Sequence, residues 1–202
     1  MVRFLEYRKV GYRMIKVFKY KNGEIRIKYN EPPLVRDYKY EWIKKQIRIK
    51  TFKLSSPFLL GVELAVHKGG RICYGMLAAQ VKPHSKQDCV NLSLAFTQEN
   101  TITFEDACII DDTHVYKGLP KEYTSEIIKK IYSLISQKES YPQCSIIFED
   151  SANCEVGSSP IIFGISAEII TNIIFSDSVN EILNLDIETF TKLYVKNINF
   201  QY

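Results

Sequence analysis

The stretch that most limits what this chain can fold into runs from residue 144 to residue 175, where two kinds of local grammar meet. Cys144 to Phe148 is an apolar strand. Val156-Gly157-Ser158-Ser159-Pro160 then reads as a helix entrance, because a serine hydroxyl caps free amides and proline takes the first helical position without losing a hydrogen bond. Ile161 to Phe175 is the helix. Ser166, Glu168, Thr171 and Asn172 keep it short of the roughly 18 unbroken apolar residues of a membrane span. A strand must therefore pass into a helix through one small polar loop that holds Cys154.

Upstream, the pattern is written in strands. VFKYKNGEIRIKY places Asn22-Gly23, a preferred hairpin turn, between alternating segments. Counting back from that turn pairs Tyr20 with Ile25 and Phe18 with Ile27 on one face, and Lys21 with Glu24 and Lys19 with Arg26 on the other. Lys19 opposite Arg26 is a like-charge pair that asks for something negative above it. After the connector Glu31-Pro32-Pro33, a second alternating run covers Tyr38 to Phe52 and sets Ile47, Ile49 and Thr51 against Arg48 and Lys50. Lys44-Lys45 interrupts this alternation and is expected to mark a bulge.

From Pro57 on, two strands join through Lys68-Gly69-Gly70-Arg71, and ENTITFEDACII (residues 99–110) is expected as a third. A helix follows Leu119-Pro120, with Tyr123, Ile127, Ile131, Leu134 and Ile135 on one face. Strand, strand, strand, helix, strand, helix is the order of an α+β domain. The tail has cap candidates at Asp177, Ser178 and Asp186, for short helices, and a final strand is expected around Tyr194 to Phe200. The domain reading is a basic β-rich extension over 1–56, an α+β domain over 57–178, and a helical or strand tail over 179–202.

Charge is unevenly spread. Residues 1–53 hold 16 Lys and Arg against 5 Asp and Glu, and the rest of the chain holds 11 against 18, within a net charge of +4. A basic end points to a polyanionic partner. The interleaved Tyr7, Tyr12, Tyr20, Tyr29, Tyr38 and Tyr40 supply rings for stacking on RNA, or equally serve as β-formers. Five cysteines at irregular spacings argue for reduced thiols, with no zinc site and no cofactor. No export signal is read at the start, so the chain is expected in the cytoplasm, away from membranes.

Four segments together resemble a known family. GGRICYGMLAAQVKP, ITFEDACI, GLPKEYTSEIIKKI and YPQCSIIFEDSANCEVGSSPIIFGISAEII follow the order and approximate spacing of the fourth domain of translation elongation factor G, over about residues 57–175. The resemblance implies a ribosomal-protein-like two-layer fold: a mixed four-stranded sheet with two helices on one face and a left-handed crossover, here preceded by a β-hairpin-rich extension. It also implies two tip loops that probe the decoding region of the small ribosomal subunit. Carried over, the RNA-contacting tip residues are Lys68, Gly69, Gly70, Arg71, Tyr74, Gly75, Asn153, Cys154, Glu155 and Ser158. The family's tip histidine falls on Cys154, and its first-loop Gly-Gln on Ile72-Cys73. Cysteine cannot supply histidine's cationic contacts. No GxxxxGK[ST] phosphate loop is present, so a stand-alone chain lacking the GTPase is expected.

The function expected is therefore a non-enzymatic module that binds the small ribosomal subunit or structured RNA and modulates translation. Lys19, Lys21, Arg26, Lys28, Arg48 and Lys50 would supply phosphate contacts from the basic extension. The alternative is a protein-interaction or homodimerisation module that keeps the fold without RNA binding. Catalytic readings are weaker. Cys154 has no histidine near it in sequence, Ser158 and Ser159 suit helix capping, and the acid pairs Glu149-Asp150 and Asp111-Asp112 point to opposite faces of extended backbone.

Overall fold

The computed structural model describes residues 8–10, 13–20, 22–30, 40–54, 56–68, 70–85, 88–98, 102–109, 114–176 and 189–190. Its strands are β1 (Arg8–Val10), β2 (Arg13–Tyr20), β3 (Gly23–Tyr29), β4 (Glu41–Arg48), β5 (Thr51–Lys53), β6 (Phe58–Lys68), β7 (Arg71–Pro83), β8 (Cys89–Phe96), β9 (Val115–Lys117) and β10 (Tyr141–Cys154). The helices are α1 (Thr124–Ser136), entered through a 3-10 turn at Lys121–Tyr123, and α2 (Pro160–Ser176).

The fold is α+β, built on a mixed sheet in the order β1-β2-β3-β6-β7-β10-β8-β4, with β5 and β9 also pairing β10. Neighbours are antiparallel except that β10 runs parallel to β8 and to β5. The sheet is larger than the four strands expected. The reason lies in the backbone: β6 and β8 would each leave a row of amides and carbonyls unpaired. β3 pairs along β6, and β4 along β8, so the basic N-terminal strands extend the sheet at both sides.

Strand alternation divides the residues between two faces. Leu60, Val62 and Leu64 of β6, Leu77, Ala79 and Val81 of β7, Ile146 and Phe148 of β10, and Leu92 and Leu94 of β8 are buried in one cluster with both helices. In α1 the residues Ile127, Ile131 and Ile135 are fully buried four apart, each contributing about 1.5–3 kcal/mol relative to exposure. Leu134 of the expected face is only half-buried. A Lys130–Glu168 ion pair at 3.1 Å links the two helices. The other face carries a smaller cluster of Ala65, Tyr74, Met76, Phe104, Val115, Ala152 and Cys154.

Several local expectations are corrected. In the first hairpin Phe18 faces Ile25, Lys19 faces Glu24 and Tyr20 faces Gly23, a shift of two residues that keeps the faces and changes every partner. Gly23 belongs to the strand because β3 passes so close to β6 that a Cβ there would lie 2.2 Å from the Ala65 carbonyl oxygen. The like-charge pair of Lys19 and Arg26 therefore does not form; Lys19 Nζ lies 4.0 Å from Glu24.

β4 pairs continuously from Glu41 to Arg48, so Lys44-Lys45 makes no bulge. The one register shift on β10 falls at Glu149, between Phe148 and Asp150. Among residues 102–109 the only pairing is an isolated bridge from Thr103 to Tyr116, so the strand expected over 99–110 is not found there. The strand that sits beside β10 is β8. Phe190 is buried and stacks on Phe18 at 4.2 Å, which brings that point of the tail onto β2. Glu31-Pro32-Pro33, Asp111-Asp112, Asp177, Ser178, Asp186, the strand expected at 194–200, and Tyr7, Tyr12 and Tyr38 lie outside the described residues.

Candidate functional site

The two loops singled out from sequence meet at one end of the sheet. The start of β7 and the β10–α2 loop are tied by Ser158, whose hydroxyl donates to the Tyr74 carbonyl at 2.7 Å and accepts from the Cys154 amide at 2.7 Å. The Tyr74 amide donates to the Gly157 carbonyl at 3.3 Å, and the Tyr123 hydroxyl to the Ser158 carbonyl at 3.2 Å. Gly157 allows this approach, since a Cβ there would sit 2.1 Å from the Ile72 carbonyl oxygen. Ser159 is the cap of α2, its hydroxyl 3.5 Å from the Ile162 amide, and Pro160 takes the first helical position.

The tip residues divide into those that hold this end together and those displayed by it. Tyr74, Gly75, Asn153 and Cys154 are buried. Asn153 donates to the Gly118 carbonyl at 2.9 Å, and Gly75 lies beneath Ile162 and Phe163. Burial pushes the Cys154 thiol up, with Glu155 adding to the shift against a favourable amide from Val156, so the group is held away from the thiolate form. Gly70, Arg71 and Glu155 are exposed, and Lys68 ends β6. Gly69 lies outside the described residues. Beside them stand Val156 and Ile161, at 66% and 68% exposure two of the three large hydrophobics exposed among the described residues.

On the face away from the helices, sequence reasoning missed a buried carboxylate. Glu63 is fully buried. Its Oε1 accepts from the Tyr74 hydroxyl and from the Cys108 amide, each at 2.9 Å. Lys28 Nζ at 3.5 Å and Arg26 at 3.9 Å face its Oε2, and Arg26 also pairs with Glu24. Burial opposes the charge on Arg26, but the Glu24 hydrogen bond and the Glu63 and Glu24 charges outweigh it and raise its pKa. Desolvation and then the Glu63 charge push both the Tyr74 phenol and the Cys108 thiol up, so both stay neutral. The Lys28 ammonium also sits 5.6 Å above the Phe104 ring, helping to hold residues 102–109 over the sheet. The signal for this cluster was a lone acid inside the apolar strand FLLGVELAVH.

The six cations expected to contact RNA are thus not equivalent. Arg26 and Lys28 are committed to Glu63 and Glu24, and Lys19 faces Glu24. Arg48 and Lys50 are exposed, and Lys21 lies outside the described residues. Among the described residues no cluster of three or more His, Cys, Asp or Glu side chains could hold a metal, and no helix is long and apolar enough to cross a membrane. No protein-family model matches the chain, and none of the curated proteins matches it.

Proposed function

We propose that this chain is a non-enzymatic, cytoplasmic module that binds the small ribosomal subunit or other structured RNA, related to the fourth domain of elongation factor G and acting on translation. The observation that carries the reading is the bracing of the β10–α2 loop against the start of β7 at one end of the sheet, where Arg71, Val156 and Ile161 are exposed. The resemblance asks for this pairing of loops. It also asks for four strands and two helices, and β6, β7, β10 and β8 with α1 and α2 supply such a core, β8 and β10 being parallel neighbours joined through α1. The left-handed crossover remains part of the proposal. With Cys154 buried, contact at this tip falls to Arg71, Glu155 and the two apolar side chains, a different chemistry from the family's histidine.

The test is co-sedimentation with ribosomes and separated subunits at about 50 and about 200 mM salt, over which several phosphate contacts lose orders of magnitude in affinity. Saturable small-subunit binding that fades with salt is expected. Absence of binding at both salts overturns the reading. A second reading, a protein-interaction module, is favoured by Val156 and Ile161 specifically, since two large apolar side chains exposed within six residues suit a protein partner. It predicts association that changes little with salt and is lost in Val156→Ser/Ile161→Ser.

A further inference from the structure

The far half of the sheet face turned away from the helices presents a grid fixed by strand register. One row across the sheet is Lys82, Ser145, Asn91 and Gln46, on β7, β10, β8 and β4 in turn. The next is Gln80, Ile147, Ser93 and Lys44. Arg48 and Trp42 extend the same face of β4 on either side. Lys44, Arg48 and Lys82 are exposed, and the amide and hydroxyl side chains between them are at least partly so.

The centre of the grid is made of Ser145, Ile147, Asn91 and Ser93. Cations stand at its two borders, Lys82 on β7 and Lys44 with Arg48 on β4, about 14 Å apart at the usual strand spacing. Among the described residues no carboxylate lies in these two rows and none pairs with the three cations; the next acids along β10 are Glu149 and Asp150, at the register shift beyond Ile147. Trp42, half-buried and edge-on to Tyr40 at 5.3 Å, supplies an aromatic surface at one corner.

We infer that this face is where single-stranded RNA lies on the protein. The inference rests on the RNA-binding reading above and gives it a surface separate from the tip: Lys82 stands eleven residues along β7 from Arg71, about 35 Å of extended strand. Border cations take the phosphates, Ser, Asn and Gln side chains meet sugar hydroxyls and base edges, and Trp42 and Ile147 lie under bases. An open sheet face with mostly short side chains admits splayed bases. Both rows lie within strands, and among the described residues they carry no helix or loop to enter a duplex groove, which is why the single strand is the partner chosen.

The test measures anisotropy of a labelled oligouridine of about 12 nucleotides, within the usual range of single-strand site sizes. The parent chain is compared with Lys44→Gln/Arg48→Gln/Lys82→Gln and with the charge-keeping Lys44→Arg/Lys82→Arg. The neutralised variant should bind at least about tenfold more weakly, with a salt slope flatter by about 2, as three lost single-strand phosphate contacts require. The charge-keeping variant should bind like the parent, and thermal melts should coincide. Parent-like binding by the neutralised variant, or tighter binding of duplex than of single strand, overturns the inference while leaving RNA binding itself in place. A parent that binds neither oligouridine nor ribosomes at about 50 mM salt removes the underlying reading and this inference together.

Discussion

β3 and β4 come from the same basic quarter of the chain and look alike in sequence, GEIRIKY beside EWIKKQIR, yet they meet opposite fates. β3 pairs with β6, which brings the buried Glu63 under Arg26 and Lys28. β4 pairs with β8, which offers Asn91 and Ser93 and leaves Lys44 and Arg48 facing outward. The neighbouring strand, and not the density of lysine and arginine, decides whether a cation becomes internal structure or surface. A phosphate approaching β3 would have to compete with a carboxylate already desolvated and in place. One approaching β4 would not.

Four changes would break or sharpen this contrast. The largest effect is expected from Glu63→Ala, which leaves Arg26 and Lys28 without their shared partner and should cost about 3–5 kcal/mol in urea unfolding. A loss as small as that of a surface substitution would show that the β3 cations are not held internally. Next, Gly23→Ala forces a Cβ against the Ala65 carbonyl and should cost roughly 1–3 kcal/mol, checking the β3–β6 approach that delivers those cations to Glu63.

The third change is in pH. Tyr74 is held neutral by burial and by Glu63, so its folded pKa lies above the ordinary 10. The unfolded chain then releases the phenolic proton first. Stability from this group is intact below pH 10 and is lost as pH rises beyond it, by about 1.4 kcal/mol per unit. Tyr74→Phe should remove that part of the slope, and equal slopes in the two proteins would place the phenol outside the cluster. The smallest effect belongs to β4, where Lys44→Gln/Arg48→Gln should change stability by no more than about 0.5 kcal/mol. A larger loss would mean that these cations, too, are tied to the fold.

The elements best legible in the sequence were those whose cause is local. Ser159 with Pro160, the spacing of Ile127, Ile131 and Ile135, and the Gly-Gly turn between β6 and β7 all announce themselves within a few residues. What failed depends on distant partners. The hairpin register was misplaced because Gly23 answers to the Ala65 carbonyl of β6, not to the turn beside it. β8 was overlooked although Val90, Leu92, Leu94 and Phe96 alternate, its polar half being Asn91 and Ser93. Of the candidate site, both loops were singled out in the sequence, but the inward turn of Tyr74, Asn153 and Cys154 was not. Local sequence does not record that Ser158 draws the β10–α2 loop against β7 or that Tyr123 ties it to the turn before α1.

The most direct measurement of the contrast between β3 and β4 is lysine acetylation read by mass spectrometry, with and without oligouridine. Lys44 and Lys82 should label readily in the free protein and be protected by the RNA, while Lys28, held against Glu63 and Phe104, should label slowly in both. Rapid labelling of Lys28, or bound RNA that leaves Lys44 and Lys82 unprotected, would contradict the division of the basic strands into an internal set and a binding set.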